Sequence, residues 1–184
     1  MNIIKTKIPG LLIIEPDVYE DSRGYFFESY QYEKYLEAGI NCRFLQDNES
    51  KSARGVVRGL HYQLEPYAQA KLVRVIYGNV FDVAVDIRKG SPTFGQWFGT
   101  ELNGGNKKQL FIPKGFAHGF SVLSETAVFA YKCDTFYSKE AERAIKFNDP
   151  ALNINWRLTE KDMIISAKDN VAPLFNEVEI NFNF

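Results

Sequence analysis

The sequence predicts an all-β fold, a double-sheet jelly roll with a few short helices, and three observations carry that prediction. Short aromatic or β-branched runs recur along most of the chain, separated by Gly, Asp, Asn and Ser. Only one stretch has convincing helical character. The 184 residues include 15 Phe, 10 Tyr and 2 Trp, an endowment that favours strands and stacking surfaces. Many short strands with scarce helix argue for a sandwich or barrel, and a jelly roll accommodates their number.

In chain order, residues 11–14, 24–28 and 55–63 read as strands. The clearest pattern spans 71–87: Val73, Val75 and Tyr77 alternate before Gly78-Asn79, and Phe81, Val83, Val85 and Ile87 alternate after it. That pattern predicts a tight hairpin. Further strands are expected over 97–102, 109–112, 116–123, 127–134 and 144–147, with turns at Asn103-Gly104-Gly105 and Pro113-Lys114-Gly115. The helical stretch is 30–38, rich in Tyr, Glu, Lys and Leu and stopped by Gly39; a second short helix is expected over 159–163. No repeat, low-complexity block or linker interrupts the chain, so one domain over residues 1–184 is expected.

With 22 Lys and Arg against 23 Asp and Glu, the net charge of -1 argues against nucleic acid or an anionic membrane surface as partner. An anionic ligand would have to be small. Cys42 and Cys133 form no Cys-x-x-Cys pair and are too few for a disulfide-stapled scaffold. Residues 1–10 carry Lys5 and Lys7 but lead into no signal-like apolar stretch, and no segment approaches the ~20 apolar residues that span a bilayer. A cytoplasmic protein is the expectation.

The chain has only two histidines, His61 and His118, both in Gly-flanked, aromatic-rich segments. A metal site on a β-barrel often uses two histidines one residue apart on a strand, but that slot after His61 is Gln63. Metal-free acid/base catalysis therefore ranks above metal catalysis. A lone strand histidine is more often a hydrogen-bonded core or rim residue, yet the context of His61 shifts the balance. On an extended strand Gly59, His61 and Gln63 share one face, and a neighbouring strand carrying Lys71, Val73 and Val75 would set Lys71 beside them. An imidazole near an acidic C–H and a cation near the developing enolate oxygen are the parts needed to remove a proton α to a carbonyl. Arg23, Arg58 and Lys168 would clamp a diphosphate if they converged, and Phe26, Tyr131 and Tyr137 are packing residues unless a site recruits them as proton donor or stacking surface.

These segments occur in one order: Asp21-Ser22-Arg23-Gly24-Tyr25-Phe26-Phe27-Glu28, Gln46-Asp47-Asn48, Arg58-Gly59-Leu60-His61-Tyr62-Gln63, Lys71-Leu72-Val73, and Pro113-Lys114-Gly115-Phe116-Ala117-His118-Gly119-Phe120. They continue through Tyr131-Lys132-Cys133-Asp134, Asp149-Pro150, Ile154-Asn155-Trp156 and Ser166-Ala167-Lys168-Asp169. The ordered set resembles the dTDP-4-dehydrorhamnose 3,5-epimerases from Ile3 to about Asp169, and the likeness fades over 170–184.

The resemblance implies a cupin-type jelly roll that uses no metal and no cofactor, acting on a dTDP-linked 4-keto-6-deoxy sugar as a homodimer with exchanged N-terminal strands. It implies His61 as base, Asp169 as its orienting carboxylate, Lys71 as enolate stabiliser and Tyr131 as the acid that returns a proton from the opposite face. Arg23, Phe26, Glu28, Gln46, Asp47, Asn48, Arg58, His118, Glu142 and Lys168 resemble the family's substrate contacts, and Tyr137 its aromatic stacked on thymine. A relative inverting one carbon, a sugar-sensing binding module and a metal-dependent cupin stand as alternatives.

Overall fold

Fourteen strands, two short α-helices and two single 3-10 turns make up the computed structural model, which describes all residues from Met1 to Phe184. Twelve of the strands form two layers. The first sheet runs in the order β1 (Asn2–Lys5), β2 (Leu12–Glu15), β10 (Gln109–Ile112), β7 (Lys71–Tyr77), β12 (Thr126–Cys133), β5 (Gln46–Ala53). The second runs β13 (Glu142–Ala144), β6 (Val56–Gln63), β11 (Phe116–Val122), β8 (Asn79–Asp86), β9 (Trp97–Asn103), with β14 (Ile164–Ile165) parallel beside β6. The remaining pair, β3 (Val18–Asp21) and β4 (Gly24–Phe27), forms a separate two-stranded arm. This is the expected all-β double-sheet jelly roll.

Strand alternation distributes the core over three zones. Between the sheets, Val73, Val75 and Phe129 pack with Ala84, Phe120 and Val122. Outside the first sheet, Leu72 and Phe111 meet Tyr35 and Ile40 from α1 (Tyr32–Glu37) and the turn after it. The outer face of the second sheet buries Leu60, Tyr62, Val83 and Val85 beneath Phe147, Trp156, Phe175 and Phe182. The C-terminal segment is thus part of the core. No helix is long and apolar enough to cross a membrane.

The predicted hairpin over 71–87 is not one. Its halves, β7 and β8, belong to opposite sheets, joined by Gly78 alone. Gly78 has φ +83, and a Cβ there would lie 2.1 Å from the Thr126 carbonyl oxygen, so the corner turns tightly against β12. Alternation reports which face a side chain takes and is silent on which sheet a strand joins.

The helix expected over 30–38 is shorter because Gln31 caps it, its Oε1 accepting from the Lys34 N–H at 2.6 Å; Gly39, at φ +84, ends it as foreseen. The second expected helix is a single 3-10 turn, Glu160–Asp162. The strand expected over 144–147 lies earlier, as β13. β1, β3, β5 and β14 carried no sequence expectation, β5 because its Gln-Asp-Asn-Glu-Ser-Lys-Ser-Ala run lacks an apolar face.

Candidate active site

One end of the space between the sheets is polar, and the two histidines define it. β6 and β11 pair antiparallel with His61 opposite His118, and the register shifts between His118 and Phe120. The irregularity requires glycine on both strands. A Cβ on Gly59, at φ +119, would lie 2.6 Å from the Gly119 Cα, and a Cβ on Gly119 would lie 2.5 Å from the Arg58 carbonyl oxygen.

Asp169 reaches this end from α2 (Ala167–Asn170), a single turn capped by Ser166, whose Oγ accepts from the Asp169 N–H at 3.1 Å. The His61 Nε2–H donates to Asp169 Oδ1 at 2.6 Å. The carboxylate side chain is 5% exposed and the imidazole 31%, so the pair has a buried end and an open end. Burial alone would raise the Asp169 carboxyl, but the His61 hydrogen bond and charge, with Ser166 and the Gly59 N–H, hold it below its ordinary value. An ionised Asp169 fixes Nε2 as the protonated ring nitrogen and leaves the Nδ1 lone pair, which has no partner within the chain.

Across a cavity of about 240 Å³ the first sheet presents Asn48 and Ser50 from β5, Lys71 from β7, and Phe129 and Tyr131 from β12. The Lys71 Nζ lies 5.9 Å from the Tyr131 ring centroid. Lys71 therefore does not sit beside His61 on a neighbouring strand. It faces His61 from the opposite sheet, because the chain changes sheets between β6 and β7. Burial lowers the pKa of the Lys71 ammonium, opposed in part by negative charge on neighbours including Asp82 and Glu142. Burial also raises the Tyr131 phenol, so it holds its proton at neutral pH.

His118 has its own carboxylate, with Nε2 lying 2.9 and 3.1 Å from the two oxygens of Asp82. This pair is closed, with side-chain exposures of 8% and 0%, and Phe129 stacks on the imidazole at 6.1 Å between ring centroids. Sequence reading missed Asp82. The available signal was a carboxylate in the apolar strand Asn-Val-Phe-Asp-Val-Ala-Val-Asp, where a buried charge requires a partner. Ser50, Gly119 and Phe120 also line the cavity without having been singled out.

A second polar cluster involves residues from β5, β13, α2 and the loop after β12. Glu142 Oε2 accepts from Tyr137 Oη at 2.9 Å and pairs with Lys168 Nζ at 2.5 Å, while Gln46 Oε1 accepts from the Tyr137 N–H at 3.0 Å. Burial raises the Glu142 carboxyl, but Lys168 and Tyr137 outweigh it and hold it below its ordinary value. Glu142 opposes Gln63 in register and Ala144 opposes His61, so this cluster adjoins the catalytic candidates. Arg58 also lines the cavity.

The structure does not bring the other candidates into the cavity. Arg23 pairs with Asp21 on the arm, Phe26 is 71% exposed, and Glu28 pairs with Lys34 at 2.8 Å. Asp47 turns outward to Lys132 at 2.8 Å, because even-numbered residues of β5 take the inner face. No group of three or more His, Cys, Asp and Glu side chains is gathered as a metal-binding cluster.

The family pattern described as dTDP-4-dehydrorhamnose 3,5-epimerase matches residues 5–177. A dTDP-4-dehydrorhamnose 3,5-epimerase of Shigella flexneri is 58% identical over 170 residues, covering 92% of this chain and 93% of the relative. Among solved structures, a dTDP-6-deoxy-D-glucose-3,5-epimerase from Legionella pneumophila in complex with dTDP-4-keto-L-rhamnose superposes with TM-score 0.93 at 56% identity, covering 97% of this chain and 94% of that one. A mutant 3'-monoepimerase from Streptomyces bikiniensis in complex with dTDP is more distant, with TM-score 0.86 at 30% identity over 92% of this chain and 85% of that one. A match over nearly the whole chain, together with relatives more than half identical to it, means that the protein belongs to the dTDP-4-dehydrorhamnose 3,5-epimerase family and is an epimerase of that class.

Proposed function

We propose that this chain inverts C3 and C5 of dTDP-4-dehydro-6-deoxy-glucose, giving dTDP-4-dehydro-L-rhamnose for deoxysugar biosynthesis, by proton transfer through an enolate. One observation carries the reading: the 2.6 Å His61–Asp169 pair opens onto a cavity that Lys71 and Tyr131 enter from the facing sheet. The C4 ketone acidifies the hydrogens on C3 and C5. His61 Nδ1 takes one of them, the C–H electron pair moves toward O4, and the Lys71 ammonium stabilises the negative charge there. The Tyr131 hydroxyl then returns a proton to the opposite face, and the C=C electrons form the new C–H bond. Solvent takes the proton from His61 and reprotonates Tyr131 before the second carbon reacts.

Arg58 and His118 would hold the diphosphate end, with Asn48 contacting the sugar nucleotide beside them. Tyr137 offers a half-exposed ring for the base, held by Gln46, Glu142 and Lys168. In this reading the arm accounts for Arg23, Phe26 and Glu28, though not for Asp47 on β5. Tyr19, Tyr25 and Phe26 are 66%, 54% and 71% exposed, an apolar surface suited to burial on a second copy. In a homodimer with exchanged N-terminal strands, Arg23, Phe26 and Glu28 would complete the partner's site. The same reading makes the protein a cytoplasmic enzyme that needs neither metal nor cofactor.

Proton NMR of the keto sugar in D2O, with metals removed by chelation, tests the reading. Wild type should exchange the hydrogens at both C3 and C5, and His61→Ala should exchange neither. Exchange at one carbon would make this a mono-epimerase, and no exchange with binding retained would make it a binding module.

A further inference from the structure

β5 turns a polar row, Asn48, Ser50 and Ser52, toward the interior, and Ser52 is only 7% exposed. The Ser52 Oγ accepts from Arg58 Nε at 3.2 Å. The two residues lie in opposite sheets, brought together by the turn at Arg54 and Gly55. Gly55 allows that turn at φ +88, where a Cβ would lie 2.2 Å from the Asp162 carbonyl oxygen. Arg58 lines the cavity with His61, Lys71 and His118. Arg58 has no carboxylate partner, although Glu49 lines the same cavity. Its hydrogen bond to Ser52 is its only one, so its terminal nitrogens are free.

A guanidinium presents its donors in a rigid fork, and gripping it at Nε fixes the direction of the remaining N–H groups. A carboxylate in that place would neutralise the charge as it oriented the group. A hydroxyl orients the guanidinium and leaves its charge available. We propose that Ser52 is a positioning residue: by gripping Nε it aims the remaining N–H groups of Arg58 at two oxygens of the diphosphate. The inference rests on the proposed function, which supplies a nucleoside diphosphate as ligand.

The test is calorimetric titration of dTDP and of thymidine into wild type, Ser52→Ala, Ser52→Thr, Arg58→Ala and the Ser52→Ala/Arg58→Ala double variant, alongside kcat and KM. Ser52→Ala should weaken dTDP roughly five- to tenfold, the size of one lost hydrogen bond. Thymidine affinity and kcat should be unchanged, KM should rise, and Ser52→Thr should restore dTDP binding. Within Arg58→Ala, the second substitution should add nothing. The proposal is overturned if Ser52→Ala leaves dTDP affinity intact, weakens thymidine equally, or adds its full loss to that of Arg58→Ala. If Arg58→Ala leaves dTDP binding intact while turnover persists, the positioning role fails and the catalytic reading stands. If wild type binds no dTDP, both fail.

Discussion

Two histidines face each other on paired strands of one sheet, each with its own aspartate, Asp169 from α2 and Asp82 from β8, and the two pairs differ in exposure more than in chemistry. His61 is 31% exposed over a buried Asp169, while His118 and Asp82 are 8% and 0% exposed. An imidazole that must take a proton from substrate needs one nitrogen fixed and the other accessible, which His61 has. His118 shows the opposite arrangement, enclosed by Asp82 and Phe129 with little freedom. Depth thus suits identical side chains to different work, the open pair to proton transfer and the closed pair to a fixed contact and the integrity of the sandwich.

Asp169→Asn should have the largest effect. Removing the anion weakens control of the His61 tautomer and of its protonated form, so kcat should fall about a thousandfold with KM little changed. Steady-state kinetics checks it, and a fall under about tenfold would reduce Asp169 to a packing residue. The same variant has a pH signature. The Asp169 carboxyl is held below its ordinary 3.8 in the folded chain. Its stabilisation is therefore fully present above that value and lost as pH falls through the lower folded value. Acid unfolding followed by circular dichroism should show a shallower acid-side slope in Asp169→Asn than in wild type.

His118→Ala should act mainly on stability. It leaves the Asp82 carboxylate buried without its partner, at a cost of about 3 kcal/mol. For a chain of this size that lowers Tm by roughly 6–12 °C. His61→Ala, at a partly exposed position, should lower Tm far less. Calorimetric scans of the two variants check the contrast, and equal shifts would break it.

Much of this was legible in the sequence, for reasons visible in particular residues. The Gly-flanked segments around His61 and His118 picked out the two residues that define the polar end, and the alternation from Val73 to Ile87 reads correctly as two strands. Sheet membership was illegible, because Gly78 as a corner and Gly78-Asn79 as a hairpin turn leave the same pattern. β5 was hidden by its polarity, since its inner face lines a polar cavity and its outer face carries Asp47 and Lys51. Asp82 was hidden for the converse reason, a single charge within an apolar strand. The positions of Arg23 and Phe26 on an exposed arm follow from tertiary placement, which no local pattern encodes.

On the proposed assignment, His61 as base and Tyr131 as acid stand on opposite sheets and so work on opposite faces of the sugar. Tyr131→Phe keeps the ring and removes the hydroxyl, leaving the His61–Asp169 pair intact. Incubated with the keto sugar in D2O and followed by proton NMR, this variant should place deuterium on carbon with retained configuration, because His61 removes and returns protons on one face. Inverted product at the wild-type rate would contradict the assignment of Tyr131 as the acid.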